Sequence, residues 1–590
     1  MPSVPPISSK PFVDDNSDYV IGSTELAIRK CQDVDELLSF LNMSFDTEIP
    51  RSKRGVKEVL ILFVDQGYEF GDICARICSL WPRKLELEWE WLSDRELQLM
   101  RLKVWEDFRT LERRGEEYEG QRQKSLNHDT IHEANLIKPR RIWDLYAHRV
   151  IPFQFSVVDA NSNIEVGGLP DLGLRFGCTR LGRYHPVSHS WTEDMSPVDS
   201  PVNAYEWPVP LPHGVTLEAI RNELLNLGAH YVWLDVVCLR QQSSDPTNEA
   251  LRMKEWKIDV PTIGNIYKAS PSVDNVIRYF NGLGRVFRRN GWQDKRHWSQ
   301  RAWTLQEVNG EYIEAGLPKG IKDPLKERAD ENGTLLCDHL KKREIKLPFQ
   351  PGEGFGQTDL RSAIAAMKER HSQNPVDKIF GLSSLLGCKT LVAYLENEEE
   401  EHAWARLLMH VSSTILAELL FACPLPGDDR CYWRPSWRQL MANTDLVEKL
   451  PSVLDLEYWK VRDYGPRRQR LSCCIALIKG CQVYCSSVNT VVIKTERGCM
   501  KYEWMMTNLN PHTQDIVPRK LYTLAKLCSD PSLQWVLCKP YPNGELEKVS
   551  VLRRLLKGSE VNDRCLDGFS RSAMTNSNSS LVCCEDVVFR

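Results

Sequence analysis

The sequence lacks an excess of one charge, a long apolar run and the spacings of the common enzyme signatures, and each absence narrows what the chain can be. Its 76 Lys and Arg against 80 Asp and Glu leave a formal charge of -4, so no global field draws a phosphate polymer and nucleic acid is not the expected partner. The longest apolar candidate, LLMHVSSTILAELLFA at 407–422, falls short of the ~18 residues of a membrane helix and is interrupted by His410 and Glu418. No membrane span is expected. The opening MPSVPPISSKPFVDDNSDYV has no basic start followed by an apolar block, so no secretory signal is read there and the chain is expected in the cytoplasm. The 19 cysteines are odd in number, scattered, and never spaced as CxxC. That pattern fits buried thiols in a reducing compartment better than a disulfide framework or a four-ligand zinc site. GxxxxGK[ST], HExxH and GxSxG are absent, and the glycines of NGLGRVFRRNG are wrongly spaced for a dinucleotide fingerprint. His185 and His189 would share a strand face without a third ligand in view, so no metal is expected.

What is present is enough chain for several cores. At 590 residues the protein exceeds the roughly 250 to 300 residues at which a single core stops growing. Residues 1–20 are rich in Pro, Ser and Asp and read as disordered; 21–135 read as a helical module, in which VKEVLILFVDQGYEFGDICARICSLW and DRELQLMRLKVWEDFRTLERR supply apolar stripes. The polar stretch GEEYEGQRQKSLNHD, 115–129, reads as a linker. KPRRIWDLYAHRVIPF, 138–153, introduces the next domain.

Between 138 and 320 the pattern becomes strand, helix, strand, helix, strand, helix, with helical spacing in HWSQRAWTLQEV (297–308). RYHPVSHSW (183–191), HYVWLDVVCL (230–239) and DNVIRYF (274–280) read as strands, TLEAIRNELLNLGA (216–229) as a helix, and VPTIGNIYKAS as a short helix starting near Pro261. Apolar runs without alternation suit strands covered on both faces, which predicts a doubly wound α/β domain built on a parallel sheet. Ligands in such sheets bind beyond the carboxyl ends of the strands. Those positions are Ser190, Trp191, Asp235, Cys238 and the loop after Phe280. Residues 321–440 return to helix, 441–560 contain the strand candidates LSCCIALIKGCQVYC (471–485) and TVVIKT (490–495), and 561–590 read as a loose tail with NDRCLDGFSRSAMTNSNSS at its polar centre. No solenoid repeat is visible.

Four blocks in order, HPVSHSW (185–191), YVWLDVVCLRQQ (231–242), IGNIYKAS (263–270) and WSQRAWTLQE (298–307), together resemble the fungal heterokaryon incompatibility (HET) domain. PRRIWDLYAHRVIPF upstream and VDKIFGLSSLL downstream resemble the flanks of basidiomycete members, so the likeness spans roughly 138–390. The first block departs from the family's LSYVWG by placing Thr192 where its glycine stands, and the second departs from WIDALCINQ by placing Arg240 where its asparagine stands. The resemblance implies self/non-self recognition and regulated cell death. A more distant likeness to Toll/interleukin-1 receptor (TIR) domains implies a TIR-like or flavodoxin-like parallel sheet with flanking helices. In it, Trp303, Leu305 and Glu307 resemble the Trp-x-Leu-x-Glu element of NAD-cleaving members, whose glutamate is essential.

Glu307 is thus the candidate catalytic residue, with NAD as the candidate substrate rather than a resident cofactor. Ser190, Trp191, Asp235, Cys238, Arg301 and Trp303 are candidates for binding: a tryptophan could stack on a ring and Arg301 could pair with a phosphate. A carboxylate could stabilise a ribosyl oxocarbenium ion as nicotinamide departs. Structural roles stand beside each of these. Trp303 fits a core, Asp235 fits a cap, Cys238 fits a small buried hydrophobe, and Glu307 divides evenly between chemistry and fold support. Three functions remain open at this point: an NAD-hydrolysing effector, an adaptor that self-associates or recruits a protein partner, and a regulatory scaffold.

Overall fold

The computed structural model describes residues 24–44, 47–52, 56–77, 113, 115–145, 147–153, 183–268, 273–288, 294–295, 297–307, 312–316, 360–388, 390–424, 426–428, 430–442, 459–463, 469–485, 490–495, 498–504, 520–526, 534–554 and 584–590. The chain divides into two compact units, Met1–Glu344 and Ile345–Arg590, so the division falls inside the 138–390 span. Residues 1–20, most of DRELQLMRLKVWEDFRTLERR and all of 562–580 lie outside the described residues. Among the described residues no helix is long and apolar enough to cross a membrane.

In the first unit, helices Thr24–Ala27, Val34–Ser44, Val56–Asp65 and Phe70–Ile77 gather Leu37, Leu41, Leu60, Phe63 and Ile73 into one apolar cluster, as their three and four spacings require. That cluster includes Ala147, and Arg149 pairs with Glu69 at 2.6 Å, so these helices close against the domain that follows. The expected linker is a correction: residues 115–125 are helical. Arg122 and Arg140 both pair with the buried Asp259, the latter at 2.9 Å, and Tyr118 donates to the Lys138 carbonyl at 2.8 Å. A polar stretch became helix because its Arg122 has a buried partner 137 positions away.

A short hairpin, β1 (Leu126–Asn127) with β2 (Thr130–Ile131), precedes the sheet strands β3 (Arg141–Asp144), β4 (Arg149–Pro152) and β5 (His185–His189). A hairpin of β6 (Met195–Val198) and β7 (Val209–Pro212) follows. Then come β8 (Tyr231–Trp233), β9 (Val276–Tyr279) and β10 (Tyr312–Glu314). The six-stranded sheet runs β10-β9-β5-β8-β3-β4. β8, β5, β9 and β10 are mutually parallel, while the hairpin β3–β4 joins β8 antiparallel. The sheet is therefore mixed, not wholly parallel, and KPRRIWDLYAHRVIPF, read as an introduction to the domain, is its antiparallel edge. Among the four parallel strands the spatial order is second, first, third, fourth, and the direction of winding reverses between β5 and β9.

Helix Leu217–Asn226 forms where the sequence places it, capped by the Thr216 hydroxyl accepting from the Ala219 amide at 3.2 Å. The run HYVWLDVVCL is only partly strand: β8 ends at Trp233 and Asp235–Cys238 is one helical turn. The apolar continuity that suggested a longer strand instead buries Val236, Val237 and Cys238 under the sheet. Helix Pro246–Asp259, which carries Glu255 to Arg141 of β3 and Asp259 to Arg122 and Arg140, lies ahead of the shorter helix Ile263–Ile266.

The second unit holds helices Leu360–Lys368, Asp377–Phe380, Glu400–Leu408, Ser413–Phe421 and Trp437–Ala442. Its strands are β11 (Leu391–Val392), β12 (Lys460–Asp463), β13 (Gln469–Cys485), β14 (Thr490–Thr495), β15 (Gly498–Trp504), β16 (Leu521–Lys526), β17 (Gln534–Pro540), β18 (Leu546–Arg554) and β19 (Cys584–Phe589). The sheet closes through β13-β14-β15-β18-β17-β16 and back to β13 around Tyr502, Tyr522, Trp535 and Leu552. Closure removes the open edges that would otherwise template aggregation. The tail expected to be loose contributes β19, which pairs antiparallel with β13 from Leu471↔Phe589 to Ala476↔Cys584.

Candidate functional site

The site is assembled at the carboxyl end of β5. Ser188 and His189 are its last two residues and both are buried. The ladder of β5 with β9 sets Ser188 opposite Arg278 and His189 opposite Tyr279, which places the end of the central strand at the point where the winding reverses. Beyond β9 the chain turns back: the Trp298 amide donates to the Phe280 carbonyl at 2.8 Å, and the Thr304 hydroxyl donates to the Trp298 carbonyl at 2.6 Å.

This return segment is a correction to the helical spacing seen in the sequence. His297–Glu307 contains two separate 3-10 turns, Trp298–Gln300 and Trp303–Leu305, with Arg301 extended between them. Two effects compete with an α-helix here. His297 caps the first turn by accepting from the Ser299 amide at 3.2 Å, and Thr304 spends its hydroxyl on local carbonyls. Trp298, fully buried, meets Phe280 edge to face at 6.1 Å, and the Arg278 guanidinium lies 4.0 Å from its ring and 3.8 Å from that of Tyr312. The turns therefore follow the sheet surface.

Glu307 ends that segment and is 7% exposed. Ser188 donates its hydroxyl to Oε2 of Glu307, and the Trp298 indole donates to the Ser188 oxygen at 2.6 Å. Among the described residues Oε1 has no hydrogen-bond partner. Burial pushes the Glu307 carboxyl up to about 7; the Ser188 hydrogen bond, His189 and Arg278 pull it down, and Asp235 adds to the rise. Half of the group is therefore ionised near neutrality.

A second constellation adjoins it. His189 Nε2 and Asp235 Oδ1 are 2.6 Å apart, the Trp191 indole donates to Oδ2 at 2.8 Å, and the Val236 amide donates to Oδ1 at 2.7 Å. The His189 and Trp191 rings stack at 6.4 Å. Burial works against charge on both partners, yet their mutual attraction prevails, holding the Asp235 carboxyl below and the His189 imidazole above their ordinary values. Gln241 donates to the Asp235 carbonyl at 3.1 Å and steadies the turn that presents it.

Of the residues singled out by sequence, Trp191, Asp235 and Glu307 come together at this strand end. Asp235 takes three contacts within the chain, from His189, Trp191 and the Val236 amide, and so fixes His189 and Trp191. Ser190 is fully buried, its hydroxyl without a hydrogen bond; the Thr192 hydroxyl is likewise buried and unpaired. The loop carrying them touches the loop after β9: Gly282, at φ 106°, has no room for a side chain because the Thr192 methyl would lie 2.9 Å from its Cβ. The Cys238 thiol is buried and points at the Val232 carbonyl, 3.9 Å away, and burial pushes it up to about 12. Arg301 and Trp303 are partly buried on the turns before Glu307; the fully buried indole is that of Trp298, not Trp303. The departure at Arg240 has a structural explanation: it pairs with Glu206 at 2.8 Å and covers the Trp207 ring at 4.8 Å.

Sequence reasoning missed Ser188, His189, Trp298 and Arg278. The end of an apolar strand could have flagged the first two as crevice residues, but nothing local announces that Arg278 and Trp298 stack beneath them. No family model matches the chain, and neither a curated protein nor a solved structure matches it.

Proposed function

We propose that the chain is an incompatibility-type effector acting in self/non-self recognition and regulated cell death in the cytosol, and that its α/β domain acts by hydrolysing NAD. The observation that carries this reading is the position of Glu307, a half-ionised carboxyl anchored through one oxygen to the central strand, with its other oxygen open. Two features support it. The order second, first, third, fourth is that of a flavodoxin-like sheet, in which ligands sit at the winding reversal, here between β5 and β9. The Trp-x-Leu-x-Glu likeness to TIR domains falls on the same carboxylate.

In this reaction the bond from ribose C1′ to the nicotinamide nitrogen breaks and its electron pair leaves with nicotinamide, which needs no proton because its ring is already cationic. Glu307 Oε1 faces the charge that develops on the ribose and stabilises it electrostatically in a site largely closed to water. Water then adds to C1′ and releases a proton, giving ADP-ribose and nicotinamide. Trp191, held by Asp235 yet partly exposed, offers a face for a base ring, and Arg301 a cation for a phosphate.

The cellular part is tested by inducing the full chain and its Glu307→Gln form in a fungal host at matched protein levels. Death with the wild type and survival with the variant supports an effector that works through this carboxyl. Equal death with both assigns the effect to self-association or partner recruitment, and survival with both assigns the chain to regulation.

A further inference from the structure

We propose that Ser188 and Trp298 are positioning residues for Glu307: the Trp298 indole orients the Ser188 hydroxyl so that its proton goes to Oε2, leaving Oε1 as the oxygen that titrates and meets the substrate. The inference rests on the reading of Glu307 as the reacting carboxyl, and it adds which oxygen works and what sets it.

The argument is a count of donors and acceptors. An indole N–H can only donate, so the hydrogen bond of 2.6 Å from Trp298 must end on a lone pair of the Ser188 oxygen. The one proton of that hydroxyl then needs an acceptor, and the acceptor within reach is Glu307 Oε2. Ser188 is fully buried, so water does not supply an alternative. Were Glu307 to carry its own proton on Oε2, two protons would face each other across the Ser188 contact, or the hydroxyl proton would turn into a buried space without an acceptor. Protonation therefore goes to Oε1, which has no hydrogen-bond partner among the described residues. Trp298 is itself immobilised by Arg278, by Phe280 and by the Thr304 hydroxyl on its carbonyl, so the direction of the relay is fixed by packing.

The groups that face Glu307 come from every neighbouring element. His189 and Ser188 lie on β5, Arg278 on β9, Asp235 on the turn after β8, and Tyr267, whose hydroxyl donates to the Val187 carbonyl at 3.0 Å, follows helix Ile263–Ile266. The Ser188 hydrogen bond stabilises the anion alongside His189 and Arg278, whereas Asp235 opposes it. Removing the hydroxyl while leaving the rest shifts the balance toward the protonated form.

The test titrates the Glu307 carboxyl by infrared or carbon-13 spectroscopy of the full chain labelled in glutamate, with Glu307→Gln identifying its signal, in the absence of NAD. The wild-type midpoint near 7 is expected to rise by about one pH unit in Ser188→Ala, a tenfold fall in the ionisation constant. It is expected to rise by less in Trp298→Phe, which keeps the hydroxyl but frees its direction. Ser188→Cys, which preserves the side-chain shape and weakens the donor, must move the midpoint the same way and serves if the alanine form does not fold. An unchanged midpoint in Ser188→Ala or Ser188→Cys overturns the proposal. Nicotinamide release measured in parallel separates the two ideas: shifted midpoints without NAD cleavage by the wild type remove the hydrolase reading and leave the relay. Cleavage whose acid limb is unmoved by Ser188→Ala or Ser188→Cys removes the relay and leaves the hydrolase.

Discussion

The hydroxyl of Ser188 and the carboxylate of Glu307 meet across 119 residues of sequence, joining the last turn of one segment to the end of the sheet's central strand. Burial of the carboxylate at this contact makes the stability of the fold depend on pH, and the Ser188 hydrogen bond moderates the effect. Burial raises the Glu307 carboxyl from 4.5 to about 7, so between those values the folded chain binds more protons than the unfolded chain and stability falls as pH rises. Each pH unit of difference corresponds to about 1.4 kcal/mol. Glu307→Gln, whose amide oxygen can accept from Ser188 while its nitrogen faces the open side, is expected to be more stable than wild type at pH 8 by on the order of 2 to 3 kcal/mol. Near pH 4 the difference should vanish. Urea unfolding of both proteins at the two pH values measures it, and a gain over wild type no larger at pH 8 than at pH 4 would contradict the burial of the charge.

The His189–Asp235 pair gives the opposite test. The raised imidazole stabilises the fold fully below its unfolded value of 6.5 and loses that contribution as pH climbs through the folded value. The lowered carboxyl stabilises above 3.8 and loses its contribution as pH falls through its folded value. Asp235→Asn is therefore expected to cost most between these limits, on the order of 3 kcal/mol near pH 5.5, because it leaves an imidazole buried without its counter-charge. The loss should be smaller at pH 9. Unfolding curves showing an equal loss at both would mean that the ring is neutral in the fold.

Cys238 is expected to be inert. A thiol pushed up to about 12 by burial holds almost no thiolate at pH 7.5, and the structure gives it no adjoining base. Native alkylation followed by peptide mass analysis should leave Cys238 unmodified until the chain is denatured. Rapid labelling of the folded protein would restore it as a candidate nucleophile.

Much of the framework was legible in the sequence, and for physical reasons. The alternation at 183–191 and the apolar runs at 230–239 and 274–280 announced strands that form at His185–His189, Tyr231–Trp233 and Val276–Tyr279, and the apolar side of 216–229 announced the helix Leu217–Asn226. What the sequence concealed depended on distant partners. The polar segment 115–125 is helical because Arg122 finds Asp259, and the tail forms β19 because β13 offers it a ladder. Spacing at 298–307 suggested a helix, but hydrophobic periodicity does not register side-chain hydrogen bonds to the backbone, and those of His297 and Thr304 helped divide the segment into turns. At the site, the resemblance brought Glu307 forward, whereas Ser188, His189 and Trp298 emerge only when the strand order sets them side by side.

The central claim is that the open oxygen of Glu307 supports cleavage of the ribose–nicotinamide bond. Purified full chain incubated with NAD at pH 7.5, with nicotinamide followed by chromatography, tests it most directly when wild type and Glu307→Gln are compared. The account predicts release by the wild type and a loss of at least about 100-fold in the variant, the scale at which removal of one transition-state electrostatic contact is felt. Release at the same rate from both proteins, or from neither, would contradict it.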